Sequence, residues 1–321
     1  MDLRQVLAIG LLIAAMAAPA PVLAQPTAQP TAPVPEVAVS IPPIHSLAAA
    51  VMVGVGTPTL LVPGGASPHR TALRPSTARH LAAADLVFWV GPELEGFLET
   101  AMARLGKKAQ ATALLHASGI RRLAAGHRHG QDSKTTLREK ADLEKHGMDP
   151  HFWLDPENAI RVVEIIAGQL GRLDPERASL YRQNRDRTLA RLRALDRDMA
   201  TRLAPLSGLP YLVFHDSFAY FEAHFGLGPS EAVAIDPERK AGPRWILALR
   251  KKIAENAFRC LFREPQFPAP ILARLREGTG LAIAELDPLG SGLKPGPDLY
   301  FHMMAANAAA FQACLQPARN G

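Results

Sequence analysis

The longest uninterrupted helical pattern in the chain sets the architecture. After Pro175, nothing of helix-breaking character interrupts the run until Pro205, just beyond Leu203. Leu189, Leu192, Leu195, Met199 and Leu203 recur at the spacing of one helix face. Pro175 suits a first helical turn. At 1.5 Å per residue such a helix is on the order of 40 Å long, enough to pass from one domain into another. The pattern predicts a rigid linking helix over 175–204 between two lobes, 36–174 and 205–321. A chain of 321 residues accommodates both.

On either side of that helix, short β-type runs alternate with helical stretches. The strands are expected at Val37–Ser40, Thr59–Val62, Asp85–Val90, Tyr211–Phe214, Arg259–Phe262 and Leu281–Leu286. Helices are expected at Ile44–Val53, Ser76–Ala83, Leu94–Leu105 and Pro156–Leu173. Alternation of this kind makes parallel sheets covered by helices. With aromatics at only 6%, the class is α/β: two lobes, each a parallel sheet flanked by helices. No internal repeat stands out in the sequence.

The ends and insertions have a different composition. Residues 1–24 read as a secretory signal, with an apolar run from Val6 to Ala20 and Val22-Leu23-Ala24 before the expected cut at Gln25. That run is shorter than the roughly 20 residues of a membrane span. Residues 25–35 form a Pro/Ala/Thr tether. Residues 127–148 are polar and charged, and read as a flexible inserted loop. Export places Cys260 and Cys314 in an oxidising compartment, where a pair favours a disulfide over two thiols. The net charge is +6, but acids interleave with the arginines between Arg172 and Arg202. That is a solvated helix face, and it argues against a nucleic-acid partner.

Four segments carry chemistry: Val62-Pro-Gly-Gly-Ala-Ser-Pro-His69, Met148-Asp-Pro-His-Phe-Trp-Leu-Asp-Pro156, Phe214-His-Asp-Ser-Phe-Ala-Tyr-Phe221 and Glu285-Leu-Asp-Pro-Leu-Gly290. His69, His215 and Asp287 follow the carboxyl ends of expected strands, where open parallel sheets bind ligands. His69 and His151 each follow a proline, which restricts the backbone ahead of the imidazole. Neutral imidazole is a good zinc donor, and zinc takes four ligands in a tetrahedron. His69 and His151 from the first lobe, with His215 and Asp287 from the second, satisfy that count across a cleft. Manganese favours more oxygen ligands. Asp155 and Asp216 stand close in sequence as acceptors for the second imidazole nitrogens.

These residues resemble the solute-binding proteins of zinc and manganese ABC importers, from about Val39 to Leu315. The segments that carry the likeness are Ser40-Ile-Pro-Pro-Ile-His-Ser, Ser67-Pro-His-Arg-Thr-Ala-Leu-Arg-Pro-Ser, Ala84-Asp-Leu-Val-Phe-Trp-Val-Gly-Pro-Glu-Leu-Glu, Asp149-Pro-His-Phe-Trp-Leu-Asp-Pro, His215-Asp and Leu286-Asp-Pro-Leu-Gly. The resemblance implies a periplasmic monomer that captures Zn2+ between two lobes and hands it to an ABC permease driven by its ATPase. It implies the zinc branch, because manganese members tend to carry a carboxylate where His215 stands. A cysteine pair in the second lobe, here Cys260 and Cys314, also resembles zinc members. Where some zinc members have an acidic residue before the first ligand, this chain has Pro68, which leaves the fourth position to Asp287 or a water. The family's His-rich loop is represented only by His127, His129 and His146, an auxiliary metal loop.

Two alternatives come from the same residues. One is a manganese or iron receptor of the same family. The other is a secreted zinc-dependent hydrolase, since three imidazoles and an open position can generate a metal-bound hydroxide. Against the hydrolase, the chain has no His-Glu-x-x-His segment, and an Asp287 ligand would close the open position. The chain is therefore expected to be no enzyme.

Overall fold

The computed structural model describes residues 32–316 apart from 70, 73, 106–108, 127–146, 229, 235–242, 256–257, 268–271 and 273–274. His127, His129, His146 and the signal 1–24 lie outside the described residues. Among the described residues, eight strands form two parallel sheets. The first holds β1 (Val37–Val39), β2 (Thr59–Leu60), β3 (Leu86–Trp89) and β4 (Gln110–Ala113), in the order β2-β1-β3-β4. The second holds β5 (Tyr211–His215), β6 (Ser230–Ala234), β7 (Cys260–Arg263) and β8 (Ala282–Glu285), in the order β6-β5-β7-β8. The two orders are the same topology, so the lobes repeat in three dimensions what the sequence does not show as a repeat. In each, the strand order reverses between the first and third strands. That switch point opens a crevice at the carboxyl ends.

Two strands go beyond the sequence expectation. β4 reads Gln-Ala-Thr-Ala and β6 reads Ser-Glu-Ala-Val-Ala, with few β-branched or aromatic residues. Among the described residues both are edge strands, paired to β3 and β5. Neighbouring strands recruit them, against weak intrinsic preference.

The helices are α1 (Pro42–Val51), α2 (Pro75–Ala83), α3 (Pro92–Leu105), α4 (Pro156–Leu173), α5 (Ala178–Leu203), α6 (Ala219–Phe225), α7 (Pro243–Glu255) and α8 (Leu299–Leu315). All ten residues of α1 are buried, because α4, α5 and α8 pack around it. No helix among the described residues is long and apolar enough to cross a membrane.

The linking helix is α5, at 1.5 Å per residue about 39 Å long. Pro175 does not enter it directly. It opens a 3-10 turn, Pro175–Arg177, ahead of Ala178. Asp174 fixes that turn: its Oδ2 accepts from Arg177 Nη1 at 2.9 Å and from the Tyr181 hydroxyl at 2.9 Å. Tyr181, Leu189, Leu192, Met199 and Leu203 form the buried stripe. Toward the first lobe, Asn184 Nδ2 donates to the carbonyls of Val51 (3.0 Å) and Val53 (2.8 Å), closing the end of α1. Toward the second, Arg202 and Gln312 exchange two hydrogen bonds, and the Arg191 guanidinium lies 3.9 Å over the Phe301 ring.

One apolar core runs through both lobes, from Val39 and Phe88 through Trp153 and Leu192 to Tyr211 and Phe311. Buried polar bonds cross it. Trp153 Nε1 donates to the Pro288 carbonyl at 2.8 Å, and the Tyr300 hydroxyl donates to the Trp153 carbonyl at 2.8 Å. The Tyr220 hydroxyl accepts from Leu123 N at 2.8 Å and donates to the Asp149 carbonyl at 3.1 Å. Ser291 Oγ donates to the Gly64 carbonyl. Gly64 allows that approach, since a Cβ there would stand 3.1 Å from Ser291 Cα. Buried, directional bonds of this kind fix the lobes in register. A disulfide, Cys260–Cys314, ties the start of β7 to α8, with its Cα atoms 5.9 Å apart.

Candidate metal centre

Three segments at the mouth of this crevice carry imidazoles to one point. His69 ends the Gly-rich turn after β2, His151 precedes a 3-10 turn, Phe152–Leu154, that leads into α4, and His215 is the last residue of β5. One nitrogen from each lies within 4.8 Å of the others. Ring centroids are 5.7 Å apart for His69–His151, 5.5 Å for His69–His215 and 5.0 Å for His151–His215. Zinc–nitrogen bonds of about 2 Å put tetrahedral ligand atoms about 3.3 Å apart. The cluster is within about 1.5 Å of that spacing, a gap that side-chain rotation closes. His151 and His215 are buried and His69 is half-buried.

Carboxylates behind the rings orient two of them. Asp149 Oδ1 accepts both the backbone N–H of His151 (2.9 Å) and its Nδ1–H (2.8 Å). A carboxylate accepts, so Nδ1 carries the proton and Nε2 keeps the lone pair. Glu264, the residue after β7, faces His215 Nδ1 at 3.3 Å and accepts from Ser217 Oγ at 2.5 Å. The acceptors are Asp149 and Glu264; of the two acids close in sequence, Asp216 acts on His215 through its charge. Asp155 instead caps α4 by accepting from Glu157 N at 2.9 Å, and pairs with His224 at 3.1 Å.

Burial and charge set the protonation of the site. Burial, helped by the nearby His215, lowers the His151 imidazole to about 3. It is neutral and ready to coordinate at any ordinary pH. Burial also opposes charge on His215, but the Glu264 carboxylate outweighs it and raises that imidazole above its usual value. Burial pushes Asp149 up to about 7, against the His151 hydrogen bond and the His215 charge.

Asp287, expected as the fourth ligand, does not join the cluster. Its carboxylate is committed to a turn. Oδ1 accepts from Leu289 N (3.0 Å), Gly290 N (3.0 Å) and Gln266 Nε2 (2.7 Å), and Oδ2 accepts from Ser291 N (2.5 Å). Asn307 clamps its backbone through Asp287 N and O. A carboxylate so occupied has little lone-pair capacity left for an ion. Gly290 completes the turn at φ 68°, where a Cβ would stand 3.0 Å from Leu299 Cδ2.

Trp153, Phe267, Pro288 and Leu289 wall the pocket around the three histidines, and Glu264 and Gln266 add polar groups to it. Sequence reasoning passed over Glu264 and Gln266. Their segment, Glu264-Pro-Gln-Phe267, follows the end of a strand that was expected, so the rule that found His215 applies to them as well. Asp149 lay unread inside a motif already singled out for His151.

The family model for the periplasmic zinc-uptake complex component A matches residues 37–314. The high-affinity zinc uptake system protein ZnuA of Brucella abortus is 36% identical over 304 residues, covering 87% of this chain and 91% of that protein. The protein of the same name from Yersinia pestis is 34% identical over 289 residues, covering 87% and 91%. A crystal structure of ZnuA superposes with a TM-score of 0.75 at 24% identity, over 88% of this chain and all of that one. At that identity the superposition bears on the fold.

Proposed function

The chain belongs to the zinc-uptake complex component A family, and from that premise we propose that it is the periplasmic receptor that captures Zn2+ for an ABC-type permease. The observation that carries this reading is the convergence of His69, His151 and His215, from three distant segments, on one point. Those three imidazoles are the proposed ligands. The resident ATPase and permease of the import system are the proposed partners, a monomer is the proposed state, and residues 1–24 are the proposed export signal.

Capture needs no chemical step on the protein. His151 has no proton to displace near neutral pH, while His215, held above its usual value by Glu264, binds only in its neutral form. Asp149 and Glu264 hold the two rings in place, so little side-chain entropy is lost when the ion arrives. The shared core and the buried bonds between lobes oppose a wide hinge motion. Loading is therefore an adjustment of the ligand loops over small distances. An all-nitrogen donor set suits zinc over manganese, which favours oxygen.

Calorimetric titration of the wild type and His151→Ala with zinc tests the proposal. Losing a ligand should weaken binding by more than the roughly 10–100-fold that an outer-shell partner is worth. Equal affinity in the two proteins would remove His151 from the site. With Asp287 committed elsewhere, a hydrolase keeps one argument, an open fourth position. Zinc-loaded protein that turns over ester or amide substrates would favour that alternative.

A further inference from the structure

Gln266 stands three residues beyond β7, in the wall of the pocket that holds the three histidines. Its Nε2 donates to Asp287 Oδ1 at 2.7 Å and to Ser291 Oγ at 2.6 Å. Ser291 has given its own proton to the Gly64 carbonyl, so toward Gln266 it can only accept. Two acceptors on one side settle which end of the amide is which. Turning it over would press Oε1 against a carboxylate oxygen. Oε1 is thereby held to the other side, where it is buried and has no hydrogen-bond partner among the described residues. An amide oxygen left so is costly to folding, and such a group in a pocket wall calls for a partner from outside the chain, an ion or a water among them.

Zinc takes four ligands, and three imidazoles leave one position. The carboxylate of Asp287 is spent on its turn and on Gln266. We propose that the Gln266 amide oxygen serves the fourth coordination position, accepting the hydrogen bond of a water molecule that the captured ion holds there. Asp287 and Ser291 act as positioning residues that aim the amide. This rests on the three-imidazole reading above. A neutral acceptor orients such a water without drawing off its proton. A carboxylate in the same place would act as a general base, so an amide here suits a receptor and not a hydrolase.

The test compares Gln266→Leu and Gln266→Ala with the wild type and His151→Ala, all as whole protein. Zinc affinity is measured by competition, and the visible spectrum of the Co2+-loaded form reports the coordination sphere. Leu fills the space and removes the acceptor, so zinc affinity should fall roughly tenfold and the cobalt bands should shift. Ala removes the acceptor but admits a second water to replace it, so its affinity should lie nearer the wild type. A side chain that mattered only for packing would give the reverse order, with Ala the worse. Leu equal to wild type in affinity and spectrum, or Ala below Leu, overturns the proposal. If Leu does not fold, Gln266→Val, which also removes the acceptor and admits less water than Ala, takes its place, and wild-type affinity and spectrum in Val overturn the proposal. His151→Ala binding zinc as well as wild type would sink the three-imidazole reading instead.

Discussion

Tyr220→Phe isolates one bond pair that crosses between the lobes. The Tyr220 ring is fully buried, so Phe keeps its packing and removes only the hydroxyl. That hydroxyl accepts from Leu123 N at 2.8 Å and donates to the Asp149 carbonyl at 3.1 Å. Its loss strips a buried N–H and a buried C=O of this partner. Each such group costs about 1–3 kcal/mol, and together they should destabilise the protein by about 3 kcal/mol. For a folded body of roughly 285 residues, unfolding entropy is about 0.6 kcal/mol per degree, so the melting midpoint should drop about 5 °C. Circular dichroism melting of metal-free protein reads this directly. Asp149 also carries the carboxylate that orients His151, so zinc affinity should weaken as well, by about tenfold. A midpoint within about 1 °C of wild type would refute the claim that this bond pair holds the lobes in register.

Zinc affinity should fall more than about tenfold between pH 7.5 and pH 5, because imidazolium has no lone pair and His215 starts with a raised value; a flat titration across that range would contradict an imidazole site. Near neutral pH, calorimetry in buffers of different ionisation enthalpy should show proton release on zinc binding. His224 links α6 to Asp155 (3.1 Å) and to Asp196 on α5 (2.7 Å). Burial opposes its charge, but the two carboxylates carry it up to about 9. Its folded value lies above the unfolded one, so its contribution is full below about pH 6.5 and is lost as pH rises through about 9. His224→Gln should therefore cost about 3 kcal/mol at pH 6 and much less at pH 10 in urea titrations; equal penalties at both pH values would refute the linkage. Replacing both Cys260 and Cys314 with Ala frees a loop whose ends are 54 residues apart and should lower stability by about 4 kcal/mol, measured as a shift in urea midpoint.

Local pattern alone determined the fold class and the three histidines. The periodicity of Leu189, Leu192, Met199 and Leu203 is a property of one helix, and the apolar runs that became β1, β3, β5 and β7 are short-range signals. His69, His151 and His215 could be read because each sits at a strand end or beside a proline, positions the chain declares residue by residue. Tertiary structure decided which carboxylate does what. Asp287, Asp155, Asp149 and Glu264 look alike in sequence. A carboxylate is assigned by which N–H groups reach it first, and those N–H groups arrive from elsewhere in the chain. Asp287 meets Leu289, Gly290, Ser291 and Gln266, while Asp149 meets His151. The edge strands β4 and β6 were also settled in three dimensions, by neighbours that lend them hydrogen bonds. So was the core shared by the two lobes, where α1, α4, α5 and α8 pack on one another.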